Sequence, residues 1–169
     1  MTGSASAYLR ARQENRPALV GYLPVGHPSV PYAIDAKKAL TTGTTATGVD
    51  LGEIGMPYSD PMMDGTVIQH VTTWALERGV RTRDTLLAAE AVAGTGTPCM
   101  IMTYWNLVER YGVDAYARDL ASAGGSGLIT PDLTPDEAED RGHSVTVGID
   151  RMCAIVDDLA AGVRRAERQ

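Results

Sequence analysis

One stretch of the sequence decides how the chain folds: VDLGEIGMPYSDPMMDG, residues 49–65. It begins as a strand, whose side chains alternate between two faces, so that Glu53 shares a face with the apolar Leu51. A carboxylate on an apolar strand face is costly unless it is paired or used in chemistry. Glycines and prolines from residue 55 onwards end the strand in a shaped loop, which carries Asp60 and Asp64. An edge strand followed by a solvated acidic turn is the alternative interpretation.

The composition predicts one globular domain, residues 1–169. The chain is 44% hydrophobic and 21% charged, and its length is sufficient to bury a core. Its net charge is -6, and no run of Lys and Arg interrupts the acidic balance, which argues against nucleic acid as a partner. A phosphorylated small molecule stays possible as a substrate, because backbone amides bind phosphate without basic side chains.

The sequence predicts neither a metal site nor a membrane span. Its two cysteines and three histidines lack metal-ligand spacing. Residues 1–15 have no apolar core of the kind that a signal peptide needs, and no run of about 18 apolar residues occurs. We therefore expect a cytoplasmic location.

Apolar runs alternate with amphipathic segments along the chain. Strands are predicted at 18–23, 49–54, 98–103, 126–130 and 144–148, and helices at 4–15, 30–40, 66–78, 83–94, 113–123 and 151–166. Thr82 is the predicted cap of the helix at 83–94. In the helix at 66–78, the spacing places Val67, Val71, Trp74 and Ala75 on the buried side. This alternation predicts an α/β fold, a parallel sheet with helical crossovers.

Polar residues follow the predicted strands where each one ends. Glu53 and Asp64 come after the second strand, Tyr104 and Asn106 after the third, and Asp132 after the fourth. Since sites in parallel α/β folds form at the carboxyl ends of the strands, this edge is the predicted site. Solvated turns are the alternative.

These residues resemble the α subunit of tryptophan synthase. The resemblance lies in Glu53–Pro61, Asp64-Gly65, Gln69, Met102–Asn106, Arg110–Gly112, Ala123–Gly125 and Pro131–Leu133. The family is a (β/α)8 TIM barrel, typically of about 250 residues. It cleaves indole-3-glycerol phosphate to indole and glyceraldehyde 3-phosphate by a retro-aldol reaction in tryptophan biosynthesis, and the indole passes to a pyridoxal-phosphate β subunit. The resemblance implies no cofactor for the α-type chain itself.

The resemblance also assigns roles to single residues. Glu53 matches the acid–base carboxylate and Asp64 the second catalytic acid, while Tyr104 matches a residue that lines the indole pocket. Removal of the glycerol hydroxyl proton and protonation of the indole carbon suit a carboxyl group with a raised pKa. An ionised Asp beside the ring N–H would stabilise the developing positive charge.

A further group of residues resembles the family's surface for the β subunit. Pro57 and Asp60 match the loop through which the α subunit signals to β. Asn106 lies in a segment that faces β. These matches imply a β-type partner for this chain.

The resemblance changes at residue 140. Residues 1–140 resemble the first half of the barrel, while 144–169 resemble its last strand and helix, so the expected architecture is an incomplete barrel of a truncated or internally deleted member. Gly148 would match a phosphate-loop glycine, although Ile149 stands where a serine is expected. An open barrel leaves unpaired strand edges, which predicts self-association. Three alternatives stay open: an active lyase, an impaired relative that binds the β-type partner, and a remnant without function.

Overall fold

Four parallel strands form a sheet in the described part of the chain, at four of the positions that the alternating pattern predicted. The computed structural model describes residues 3–43 and 48–134. The strands lie side by side in chain order, and each is hydrogen-bonded in parallel to the next. They are β1 (Val20–Pro24), β2 (Leu51–Gly55), β3 (Cys99–Met102) and β4 (Leu128–Ile129).

One helix precedes β1, and the other helices connect consecutive strands. Their bounds are α1 (Ser4–Gln13), α2 (Val30–Thr42), α3 (Thr66–Glu77), α4 (Thr82–Ala93), α5 (Trp105–Tyr111) and α6 (Val113–Ser122). Among the described residues, none of the helices combines the length and the hydropathy that crossing a membrane requires.

The chain divides into two compact units, Met1–Pro131 and Asp132–Gln169. Only residues 132–134 of the second unit lie within the part that the structure describes. The strand expected at 144–148, the helix expected at 151–166 and Gly148 all fall outside it. The division into a first half at 1–140 and a terminal strand and helix at 144–169 therefore stays a prediction, as does a single domain over 1–169.

The ends of the helices follow local chemistry, with one correction. Helix α2 begins after Ser29, whose hydroxyl accepts a hydrogen bond from the Tyr32 N–H at 3.4 Å. The prediction that Thr82 caps α4 was wrong, since Thr82 is already helical and the cap position falls on Arg81. Asp84 supplies the capping oxygen, because the Arg81 N–H donates to its carboxylate at 2.7 Å. A carboxylate in the first turn suits the positive end of the helix.

Helix α5 was not predicted from the sequence. It has seven residues and ends at Gly112, whose φ of 98° lies in the left-handed region that glycine tolerates. Helix α6 begins directly afterwards. Such a short helix spans about two turns, too few for an apolar period to show.

The two faces of the sheet have different roles. Ile54 and Ile101 are paired in register and almost fully buried, in one cluster with Ala88 and Val92 of α4. The other face of β2 carries Leu51 and Glu53, because side chains alternate along a strand. Glu53 therefore lies on the face of the sheet that is opposite to α4, together with Leu51, with which the alternation had placed it.

The predicted buried side of α3 was right for Ala75 and wrong for Val67 and Trp74. Ala75 is buried, as is Thr72, which was not predicted there, whereas Val67 and Trp74 are 73% and 43% exposed. The Trp74 ring lies instead against His27, with 5.4 Å between ring centroids. Apolar spacing predicted the helix but not every residue of its buried side, since Thr72 is buried with its hydroxyl donating to the Gln69 carbonyl at 3.0 Å.

Candidate functional site

Glu53 lies near the carboxyl end of β2, with strands on both sides. Tyr22 of β1 and Met100 of β3 are its register partners. The Glu53 side chain is partly buried, and this burial raises the pKa of its carboxyl group above the usual range. Desolvation favours the protonated form, so Glu53 is suited to hold and release a proton.

The loop after β2, residues 56–65, is held at both ends. The Met56 N–H donates to the Met102 carbonyl at 2.9 Å, which extends the β2–β3 ladder by one bond. At the far end the Gln69 side-chain amide donates to the Asp64 carbonyl at 2.8 Å. Asp64 is partly buried, and desolvation raises the pKa of its carboxyl group too. The loop is therefore fixed at both ends, and it places a second carboxylate at this edge of the sheet.

Tyr104 follows β3 and ties the loop to the sheet. It is 2% exposed, and its hydroxyl accepts a hydrogen bond from the Met63 N–H at 3.1 Å. Its ring stacks on Tyr58, with centroids 4.6 Å apart. The Asn106 side-chain amide donates to the Tyr58 hydroxyl at 2.9 Å. Two predicted residues thus hold the loop that carries a third, Asp64.

Tyr22 is the residue of this site that the sequence reasoning missed. Burial raises the pKa of its phenol, and the negative charges of Asp64 and then Glu53 raise it further, together with an effect of Tyr104. The Tyr22 side chain therefore lies within electrostatic reach of Glu53, Asp64 and Tyr104. Tyr22 stands in an apolar run, and only its pairing with Glu53 in the sheet reveals its place.

The predicted partner-facing residues are spread over this edge. Pro57 lines a cavity of about 350 Å³, whose other lining residues are Met56, Leu76, Val80, Arg81, Thr82, Leu107, Arg110 and Tyr111. Asp60 is exposed and accepts a hydrogen bond from the Ser59 hydroxyl at 2.6 Å. Neither Asp60 nor Asn106 belongs to the lining of that cavity. The cavity is mostly apolar, with two guanidinium groups among its lining.

Other candidate chemistry is sparse in the described residues. Within 3–43 and 48–134, no three His, Cys, Asp or Glu side chains come close enough together to hold a metal ion. Cys99 is fully buried, and burial raises the pKa of its thiol to about 11. A thiol with that pKa stays protonated near neutral pH and is a poor nucleophile.

Comparisons with known proteins agree with this architecture. The family model described as tryptophan synthase alpha chain matches residues 8–155, beyond the boundary at 140 that the sequence resemblance suggested. A tryptophan synthase alpha chain of Salinispora tropica is 55% identical over 146 residues, which are 86% of this chain and 53% of that protein. The Mycobacterium tuberculosis protein (strain ATCC 25177 / H37Ra) is 58% identical over 128 residues, 76% of this chain and 46% of that one.

Solved structures show the same relationship. The aminoacrylate-bound form of tryptophan synthase from M. tuberculosis superposes with a TM-score of 0.77 at 53% identity, covering 82% of this chain and 56% of that one. Tryptophan synthase subunit alpha from Legionella pneumophila gives 0.76 at 30% identity, covering 83% and 53%. The chain thus spans about half the length of the relatives that it matches, and its fold is the corresponding part of their barrel. On this evidence the chain belongs to the tryptophan synthase alpha chain family.

Proposed function

We propose that this chain carries the acid–base half of a tryptophan synthase α-type lyase. The reaction is the retro-aldol cleavage of indole-3-glycerol phosphate to indole and glyceraldehyde 3-phosphate. The observation that supports this is that burial raises the pKa values of two carboxyl groups, Glu53 on β2 and Asp64 on the following loop, and that the charges of both act on Tyr22. Titratable groups with perturbed pKa values at the carboxyl edge of a parallel sheet are typical of catalytic sites.

Glu53 is the proposed proton shuttle. As a neutral carboxyl group it gives a proton to the indole ring carbon, and as a carboxylate it accepts the proton of the glycerol hydroxyl. The bond between that ring carbon and the carbon that bears the hydroxyl then breaks, which leaves indole and an aldehyde. A raised pKa brings the two protonation states closer in energy near neutral pH, which general acid–base catalysis requires.

Asp64 and Tyr104 complete the proposal. An ionised Asp64 beside the indole N–H stabilises the positive charge that forms when the ring carbon is protonated. Tyr104 is buried and its ring stacks on Tyr58, so it offers a rigid aromatic wall for the indole ring. Gly148, the proposed phosphate contact, lies outside the described residues.

The test is indole release from indole-3-glycerol phosphate, measured with and without a tryptophan synthase β subunit. We expect Glu53→Gln to lower kcat by at least about 100-fold, the usual scale of a general acid–base contribution. Glu109→Gln is the matched control, since Glu109 is an exposed residue of α5 and no role in the chemistry is proposed for it. Equal rates for the unmodified chain and Glu53→Gln would remove Glu53 from the mechanism.

The second candidate is a catalytically impaired relative that binds a β-type partner. The cavity beside Pro57 supports it, because an apolar pocket with guanidinium groups among its lining suits an amphipathic, partly acidic surface.

A binding measurement separates the two candidates. We expect the β subunit to be retained by the immobilised chain, and Pro57→Asp to weaken that retention at least about tenfold, since it places a charge in an apolar contact. Retention without indole release would favour the impaired relative. Loss of both would contradict either proposal.

A cytoplasmic location and self-association complete the proposal. Membership in a family of biosynthetic enzymes supports the location. The parallel sheet, with β1 and β4 at its two edges among the described strands, supports self-association, since unpaired strand edges tend to pair with other chains. Light scattering at several concentrations tests it, and a monomer at every concentration would refute it.

A further inference from the structure

The cavity of about 350 Å³ beside Pro57 is separate from the proposed catalytic carboxyl groups. Met56 and Pro57, the first residues of the loop after β2, belong to its lining, whereas its described lining residues include neither Glu53 nor Asp64. Binding sites for small molecules span roughly 300–1,000 Å³, so this cavity has room for a molecule of one or two rings. No step of the proposed lyase reaction uses it.

Much of the wall of this cavity is apolar. Besides Pro57 and Tyr111, the apolar lining residues are Met56, Leu76, Val80 and Leu107. The Tyr111 ring meets the Tyr116 ring edge-on, with 5.5 Å between centroids, and the Tyr111 hydroxyl donates to the Asp119 carboxylate. A ring that is held at two points offers a fixed surface, on which an aromatic ligand can pack.

Two arginines give the same cavity a positive charge. Arg81, at the start of α4, and Arg110, in α5, both line it, and none of its described lining residues is acidic. The Arg81 side chain is held in place, since its Nη1 donates to the Val80 carbonyl at 3.0 Å. Within 3–43 and 48–134, no hydrogen bond or ion pair is found for the Arg110 guanidinium. Two cations on an apolar wall call for an anion with an apolar body.

A carboxylate fits this pair of arginines better than a phosphate does. The planar fork of a guanidinium matches the two oxygens of a carboxylate in a bidentate pair. A phosphate carries close to two negative charges and calls for further donors. The start of α4 adds little to that need, because the Asp84 carboxylate already lies there, 2.7 Å from the Arg81 backbone nitrogen.

We propose that this cavity binds a small aromatic carboxylate, with its carboxylate group on Arg81 and Arg110 and its ring on the apolar wall beside Tyr111. The inference goes beyond the proposed function, since it requires neither the lyase reaction nor a partner subunit. It places a free molecule in the cavity that the second candidate assigns to a partner. Because Met56 and Pro57 line the cavity, the bound molecule also contacts the start of the loop that carries Asp64.

The test is a titration of the full chain with benzoate, followed by NMR of its labelled leucine and valine methyl groups. We expect the Leu76, Val80 and Leu107 signals to shift, and Arg110→Gln to weaken binding about tenfold or more, since it removes charged hydrogen-bond donors. Arg118→Gln is the matched control, because Arg118 is exposed on α6 and does not line the cavity. Equal affinities in the two variants would overturn the proposal, and so would shifts confined to methyl groups away from the cavity.

Arg81→Gln reaches the carboxylate from the other side. It keeps the backbone N–H that donates to Asp84, so α4 should keep its start, which circular dichroism checks. We expect it too to weaken benzoate binding about tenfold. A natively folded Arg81→Gln that binds benzoate as tightly as the unmodified chain would contradict a carboxylate held by both arginines.

Two further probes divide the ligand into its halves. Benzyl alcohol keeps the ring without the charge, and acetate keeps the carboxylate without the ring. We expect each to bind at least about tenfold more weakly than benzoate, because each loses one of the two kinds of contact. Benzyl alcohol that binds as tightly as benzoate would show that the arginines are not used, and acetate that does so would show an adventitious ion only. Either result overturns the proposal, and a chain that releases indole without binding benzoate would refute this proposal alone.

Discussion

Asp50 and Glu53 are three residues apart at β2, yet their surroundings are opposite. The Asp50 carboxylate accepts from both terminal nitrogens of Arg16, at 2.6 and 2.7 Å, and from the Leu19 N–H at 2.8 Å. These bonds, led by those of Arg16, lower the pKa of Asp50 to about 2. Glu53 has no cation near it among the groups that shift its pKa, and burial alone raises that pKa.

The difference separates a structural carboxylate from a candidate catalytic one. Asp50 joins the segment after α1 to the start of β2, at the amino edge of the sheet. Its negative charge is balanced there by the Arg16 guanidinium. Glu53 lies toward the carboxyl edge, where its charge is left without compensation. An uncompensated carboxylate lowers the stability of the fold, and such a cost is typical of functional sites.

Lys37 gives the largest expected effect, because it is a buried cation that pairs with no carboxylate among the described residues. It is 3% exposed, its ammonium donates to the Pro24 carbonyl at 2.9 Å, and burial lowers its pKa from 10.5 to about 7. We expect Lys37→Met to raise the free energy of unfolding at pH 7 by on the order of 3 kcal/mol, from the shift less one lost hydrogen bond. Urea denaturation measures it.

The stability that Lys37→Met gains should also depend on pH, in a direction that the lowered pKa of Lys37 sets. Between pH 7 and 10.5 the unfolded chain binds more protons at Lys37 than the folded chain does, so the stability of the unmodified chain rises with pH. The advantage of Lys37→Met should therefore be full below pH 7 and shrink toward pH 10.5. Lys38→Met is the control, since Lys38 is exposed. A destabilised Lys37→Met would show that the hydrogen bond to Pro24 outweighs the buried charge.

Two glycines of β2 test the two faces of the sheet. A Cβ atom at Gly52 would lie 3.1 Å from Val92 Cγ1 of α4, whereas one at Gly55 would meet the Tyr22 ring. We expect Gly52→Ala to lower the free energy of unfolding by about 1–2 kcal/mol through overpacking against α4. Gly55→Ala should cost less stability, because a tyrosine ring end can move, but should lower indole release more than Gly52→Ala does. The reverse order would mean that the faces are misassigned.

Asp50→Asn and Glu53→Gln give the smallest changes in stability, and we expect opposite signs. Asp50→Asn should destabilise the fold at neutral pH, because the folded state favours the ionised carboxylate. Glu53→Gln should stabilise it, because the folded state disfavours the Glu53 charge. Both are compared by urea denaturation at pH 7.

An acid titration isolates the contribution of Asp50. The stability that its low pKa provides is present above the unfolded value of 3.8 and is lost as the pH falls toward about 2. Asp50→Asn should therefore weaken the loss of stability over that range. Changes of the same sign for Asp50→Asn and Glu53→Gln at pH 7 would break the comparison between the two carboxylates.

Much of the fold could be predicted from the sequence. The four described strands lie where the sequence predicted them, because the strands of a parallel sheet are richer in apolar residues than the loops between them. The buried side of α3 was predicted wrongly at Trp74, which packs on His27 through a contact between segments that no spacing encodes. Helix α5 was missed because it is too short to show a period.

The sequence by itself determined where the two candidate catalytic carboxylates stand. The alternation at 49–54 put Glu53 on the face of Leu51, and the glycines and prolines after it required a loop that carries Asp64. Those are local properties, set by the strand period and by backbone stereochemistry. Only the tertiary structure decided which carboxylate is neutralised and which is not. Arg16 reaches Asp50 across 34 positions, and Tyr22 reaches Glu53 through the β1–β2 register, because charge compensation depends on neighbours in space.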